Sequence, residues 1–198
     1  MSTQPHWFGP YKGKNRDVSS SQGEGHPVMF GAPPVARHFD PFPDGGGYPK
    51  GFIEWAMREV GCQDASTILH LCSGSMVTGV RVDVRPEMNP DIIADCRNVP
   101  LPDESFDFIM ADPPYSKEYA ANLYGTADHY PTPGAIAREA CRLLRPGGFF
   151  GLLHFQVPMT KKPLEIVRVY GVSTGAGYAI RAWTLCRKTR EPAERLAV

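Results

Sequence analysis

Apolar positions along the chain fall into short runs separated by turn formers, with helical spacing kept in only two places. Phe52-Ile53-Glu54-Trp55-Ala56-Met57-Arg58-Glu59-Val60 puts its apolar residues on one helical face and is closed by Gly61. Pro133 to Leu144 is the second such stretch, with proline in its first turn and Arg145-Pro146-Gly147-Gly148 ending it. The remaining runs read as strands: Thr67 to Leu71, Gly79 to Val84, Asp91 to Asp95, Phe106 to Ala111 and Phe149 to Phe155. Glu165 to Val172 and Tyr178 to Arg187 follow, joined by the tight turn Ser173-Thr174-Gly175-Ala176-Gly177. Buried strands alternating with helices predict an α/β sheet, mostly parallel. The last two strands form an antiparallel hairpin, because a parallel pair needs a long crossover.

Residues 1–47 are rich in Gly, Pro, Ser and His and lack periodicity, so a flexible or irregular segment is expected there. The folded domain is expected over 48–190, with a tail at 191–198. At 198 residues, one well-buried domain fits better than two. No apolar run approaches the roughly 20 residues of a membrane span, and the first residues lack a secretory pattern, so a cytoplasmic location is expected. Cys62, Cys72, Cys96, Cys141 and Cys186 are odd in number and widely spaced, which predicts reduced thiols and neither a zinc site nor a disulfide framework. Lys plus Arg equals Asp plus Glu, 21 each, which weighs against tight, non-specific DNA binding while leaving room for a local basic face.

The chemistry concentrates in Asp112-Pro113-Pro114-Tyr115, at the carboxyl end of a strand, where ligands bind in open α/β sheets. Two prolines stiffen the loop, so the Asp112 carboxylate and a proline carbonyl are aimed at little entropic cost. The Tyr115 ring offers a face on which a planar base can stack. An exocyclic amine on adenine or cytosine is a poor nucleophile, its lone pair being delocalised into the ring. Acceptors for both of its N–H groups favour a tetrahedral nitrogen and point its lone pair at an incoming methyl group. A base inside a duplex must first leave the stack.

The motif resembles the catalytic loop of the amino-directed class I methyltransferases, the N6-adenine and N4-cytosine DNA methylases and their RNA-acting relatives. The resemblance runs from about Tyr48 to Lys188. It implies a Rossmann-like sheet and S-adenosylmethionine (SAM) as cofactor. Ile68-Leu69-His70-Leu71-Cys72-Ser73-Gly74-Ser75 is similar to the strand and glycine turn that cradle SAM in that family. Asp83 falls where an acid bonds the ribose hydroxyls, and Asp95-Cys96 resembles the pair at the adenine ring. His70, Leu71, Cys72, Ser73, Gly74, Asp83, Asp95, Cys96 and Asp112 are therefore the expected cofactor residues, and Asp112, Pro113, Pro114 and Tyr115 the catalytic ones.

Several features depart from the family. His70 stands where an acid is usual, and either faces the amino-acid end of SAM through water or packs as an ordinary strand residue. Gly74 to Asp83 leaves no room for a helix, so the first helix is lost or reduced to a turn. The methionine end of SAM then needs other cover, from Tyr48-Pro49-Lys50 or the Phe30 to Phe39 segment. No separate target-recognition domain is visible. The stretch Ser116 to Thr132, read as a loop, carries Lys117, Tyr119, Asn122, Tyr124, His129 and Tyr130, which either grip an acceptor or are ordinary packed residues. Arg181, Arg187, Lys188, Arg190 and Arg195 enrich the C-terminal end in positive charge, diluted by Glu191 and Glu194. The expected reaction is methylation of a base amine, adenine N6 in DNA ahead of cytosine N4 and RNA. The alternatives are a small-molecule or protein acceptor and a non-catalytic SAM-fold subunit.

Overall fold

The structure, a computed structural model, describes residues 48–49, 51–173 and 179–190. The segment 1–47 with its Phe30 to Phe39 stretch, Lys50, residues 174–178 of the hairpin turn and the tail 191–198 with Arg195 lie outside the described residues. Helix α1 spans Phe52–Val60, bounded by Gly51 and Gly61, both left-handed. It buries Phe52, Trp55 and Ala56, one face at the expected spacing. Seven strands follow, β1 Leu69–Leu71, β2 Val80–Asp83, β3 Ile92–Ile93, β4 Phe106–Ala111, β5 Leu144–His154, β6 Leu164–Val172 and β7 Arg181–Lys188. Helices α2 Lys117–Tyr124 and α3 Pro133–Leu143 both lie between β4 and β5.

The strands form one sheet in the order β3-β2-β1-β4-β5-β7-β6. The first five elements of that order pair in parallel, and β7 runs antiparallel to both β5 and β6. This is the expected mixed α/β sheet of a Rossmann-like class I methyltransferase, with its antiparallel hairpin. Chain order reverses between β1 and β4, which opens a crevice at their carboxyl ends.

Alternation along the strands sorts two cores. On one face Leu69, Leu71, Ile109, Ala111, Phe150 and Leu152 meet α3 through Ile136, Ala137, Ala140 and Leu143. On the other face Ile68, Phe108, Met110, Leu153 and Trp183 meet α1 and Tyr48. Trp183 is fully buried there, edge-on to Phe52 with ring centroids 4.9 Å apart. Gly151 makes room for it, since a Cβ at that position would sit 2.0 Å from the indole.

Residues 72–79 carry the chain from β1 to its parallel neighbour β2, where a dozen or more residues are usual. As the short spacing predicts, no helix forms there. Gly79 makes the shortcut possible: its φ is +75°, and a Cβ would lie 2.5 Å from the Ile68 carbonyl oxygen. Two expectations are corrected. The stretch 116–132 is not an open loop, because Ser116 caps α2 by accepting from the Tyr119 N–H and Gly125 ends it in the left-handed region. Strand β5 begins at Leu144 rather than Phe149, with an irregularity opposite Phe106–Phe108 that absorbs Arg145 to Gly148.

Candidate active site

The crevice at the strand ends is lined by residues from three connections. Cys72, Ser73, Gly74 and Met76 follow β1; Asp83, Val84, Arg85, Asp95 and Cys96 come from around β2 and β3; Asp112, Pro114, Tyr124, Thr126, His129 and Pro131 come after β4. Tyr48 closes the cleft from the segment ahead of α1. Of the expected cofactor residues, the fold thus gathers Cys72, Ser73, Gly74, Asp83, Asp95, Cys96 and Asp112 in one wall.

His70 and Leu71 do not join them. Leu71 belongs to the core on the α3 side. His70 is 1% exposed on the opposite face, its ring 6.1 Å from that of Tyr48. Burial lowers its pKa to about 4, so the ring is neutral. Neither ring nitrogen finds a hydrogen-bond partner among the described residues.

Asp83 ends β2 almost fully buried. One carboxylate oxygen accepts from the Gly74 backbone N–H at 2.8 Å, and the other takes the Arg85 backbone N–H and its Nε at 3.0 and 3.1 Å. The Arg85 guanidinium also lies 4.7 Å over the Tyr124 ring. Arg85 Nη2 adds a fourth, long contact of 3.5 Å to the Gly74-bound oxygen, and of the about four acceptor positions on the carboxylate this weakly held one is what a ligand hydroxyl can take over. Ser73 Oγ, in the same wall, is buried without a partner among the described residues. An orphaned hydroxyl beside a buried acid suits a polar ligand.

Asp95 is more heavily engaged. Arg97 binds it through both Nε and an Nη, and His129 Nδ1 lies 3.1 Å away. Hydrogen bonding from Arg97, helped by His129, draws its pKa down to about 2. Cys96 lies next to it, and the Cys72 thiol donates to the Cys96 sulfur at 3.3 Å. All five cysteines are free thiols, and no group of three or more metal-ligating side chains occurs among the described residues.

Asp112 leaves β4 with its side chain 10% exposed. It accepts from Tyr115 Oη at 3.0 Å, and that phenol oxygen accepts from Arg181 Nη1 at 2.7 Å. Burial pushes the Asp112 pKa up to about 7, against the Arg181 charge and the Tyr115 bond. Pro114 lines the cleft, whereas Pro113 is buried behind it. Tyr115 lies outside the lining, its ring packed edge-on against His154 and Phe155, with centroids 5.6 and 4.6 Å away. His154 is fully buried, and its Nδ1 accepts from the Gln156 backbone N–H, which leaves the neutral ring's proton on Nε2. Sequence alone counts Arg181 only among the C-terminal charges and does not single out His154, because β5 and β7 bring them to the loop from far along the chain.

Residues 58–152 match a family model described as a methyltransferase domain. No curated protein matches the sequence. Among solved structures, TrmN from Thermus thermophilus aligns with a TM-score of 0.50 at 17% identity, over 68% of this chain and 47% of that one. The chain therefore spans about half the length of TrmN. A SAM-dependent methyltransferase from Aquifex aeolicus aligns at 16% identity over 69% of this chain and 89% of its own, with a TM-score of 0.46. Burkholderia thailandensis 1,6-didemethyltoxoflavin-N1-methyltransferase, solved with 1,6-didemethyltoxoflavin and S-adenosylhomocysteine, aligns at 13% identity over 68% and 75% of the two chains, with a TM-score of 0.44. The sheet order gives the chain the Rossmann-like fold of class I methyltransferases, and residues 58–152 within it resemble a methyltransferase domain, whose cofactor is S-adenosylmethionine.

Proposed function

We propose that the domain methylates the exocyclic amine of a nucleic-acid base, with adenine N6 in DNA as the first candidate. The observation that carries this reading is the buried Asp112 carboxylate, at the end of β4 and in the wall of the cofactor cleft. SAM supplies an electrophilic methyl group on a sulfonium. In this reading Ser73, Gly74 and Asp83 hold it, Asp83 through hydroxyls, while Asp95 contributes through the backbone beside Cys96 because its carboxylate is taken by Arg97. Asp112, ionised, accepts one amine N–H and a carbonyl of the Pro113-Pro114 loop accepts the other, which turns the nitrogen lone pair toward the methyl group. Tyr115 holds the Asp112 carboxylate by its hydroxyl and packs against Phe155, so it acts by orienting the acid more than by offering a free ring face.

A second reading, a small heteroaromatic amine as acceptor, draws on where the cations lie. Arg187, Lys188 and Arg190 sit at the amino end of the parallel strands, beside Gly147 and Leu144. β7 separates them from Arg181, and hence from Asp112, by some 20 Å. The Phe155 and Tyr119 rings, both partly exposed, stand near Tyr115 instead.

The deciding experiment is nucleoside mass spectrometry on DNA and RNA from a methylation-deficient host that expresses the chain or its Asp112→Ala variant. N6-methyladenine or N4-methylcytosine that appears only with the wild type supports the proposal and names the polymer. No new methylated base from protein that binds SAM rejects the nucleic-acid acceptor in favour of a small molecule. Steep loss of activity with salt belongs to the polymer reading, through phosphate contacts.

A further inference from the structure

We propose that Arg181 is a positioning residue for the reaction: from the antiparallel strand β7 it holds the Asp112 carboxylate charged and aimed into the cleft, using Tyr115 as the link. The inference rests on the proposed role of Asp112 as acceptor for the amine N–H. Its geometry is a closed three-member chain. Arg181 Nη1 donates to Tyr115 Oη at 2.7 Å, Tyr115 Oη donates to Asp112 Oδ1 at 3.0 Å, and Arg181 Nη1 lies 3.9 Å from Asp112 Oδ2. Arg181 and Asp112 side chains are 15% and 10% exposed, so water screens the pair weakly.

The other groups that face Asp112 offer no positive charge. Tyr48 ahead of α1, Cys72 after β1, Tyr115 in the loop and Tyr124 on α2 all interact with it electrostatically. Burial raises the pKa of the three phenols, and the Cys96 contact together with burial raises that of Cys72, so all four are uncharged at neutral pH. His154, on β5 against Tyr115, is kept neutral by burial, with the Pro114 carbonyl opposing that fall. Among the described groups facing this carboxylate, Arg181 is thus the cation, set against a burial penalty that favours the protonated acid. A protonated Asp112 would donate one hydrogen bond and lose half its value as an acceptor. Arg181 also fixes which way the Tyr115 hydroxyl points, since a guanidinium cannot accept and the phenol proton must go to Asp112.

The test reads the acid itself and needs no acceptor. The full chain is labelled with [13Cγ]-aspartate, the Asp112 signal is assigned by its loss in Asp112→Asn, and its shift is followed from about pH 5 to about pH 11. The wild-type midpoint is expected near 7. Arg181→Gln, shown folded by circular dichroism and SAM binding, should move it upward by about one to three pH units. Arg181→Lys, which restores the charge, should bring it most of the way back. An unmoved midpoint in Arg181→Gln overturns the proposal. If that variant does not fold, Tyr115→Phe decides: loss of the link should raise the midpoint, and an unchanged value overturns the chain. A shifted midpoint in a protein that methylates no base keeps this inference and discards the nucleic-acid reading, so the two fail separately.

Discussion

The two connections that frame the cleft reach their strands by contrasting routes. From β1 to β2 the chain crosses in residues 72–79 with no helix, whereas from β4 to β5 it takes residues 112–143 and builds α2 and α3. The first connection shapes the cofactor end. Its wall is held by backbone turns and by carboxylates that arginines and a histidine already occupy: Arg85 on Asp83, and Arg97 with His129 on Asp95. The second connection starts with the Asp112-Pro113-Pro114-Tyr115 loop, and at that loop Tyr115 packs against the rings of His154 and Phe155. The difference teaches where rigidity is placed. The group proposed to meet the acceptor is aimed through Tyr115, whose ring is clamped by its neighbours, while those proposed to meet the cofactor are held by polar contacts that a ligand can exchange.

The strongest way to break that contrast is Gly151→Ala. Its methyl would overlap the Trp183 ring at 2.0 Å in the close-packed core that α1 and Tyr48 form under β5 and β7, so a loss of about 3 kcal/mol or more is expected in urea denaturation. A midpoint within error of wild type would show that the core under β5 and β7 is far softer than its packing implies. Gly79→Ala strikes the cofactor end instead. Left-handed backbone and a 2.5 Å approach to the Ile68 oxygen should cost about 2 kcal/mol by the same measurement. A larger loss here than at Gly151 would reverse the order of rigidity. The mildest is Asp83→Asn, which keeps the shape and removes the charge. Calorimetry should show SAM binding weakened about tenfold, the loss of one hydrogen bond to a charged group. Unchanged affinity would remove Asp83 from the cofactor's contacts.

What could be read from the chain alone follows the reach of each interaction. The Asp112 loop, the short step from Gly74 to Asp83 and the final hairpin are local, and spacing with turn chemistry revealed them. Helix α2 is local too, but its signals, the Ser116 cap and the Gly125 stop, lie in a stretch of scattered tyrosines between flanking prolines, which reads as a loop. Asp95 matched by position, yet nothing in its own neighbourhood says that His129 will share its carboxylate. Arg181 is the extreme case: it looks like one more charge in a basic tail, and only the reversal of β7 separates it from Arg187 and brings it to Tyr115. His70 shows the converse, a residue whose position in the motif suggests a ligand while the pleat turns it to the buried side.

The placement of Tyr48 has a practical corollary for anyone who handles the molecule. Tyr48 lines the cleft, whereas Arg190 lies beside Gly147 at the opposite end of the sheet. The described domain thus begins in the wall of this cleft and leaves β7 at the opposite end of the sheet. A fluorophore, affinity handle or surface tether attached after β7 leaves the entrance free. One attached just ahead of α1 stands beside the cleft wall that Tyr48 helps to build.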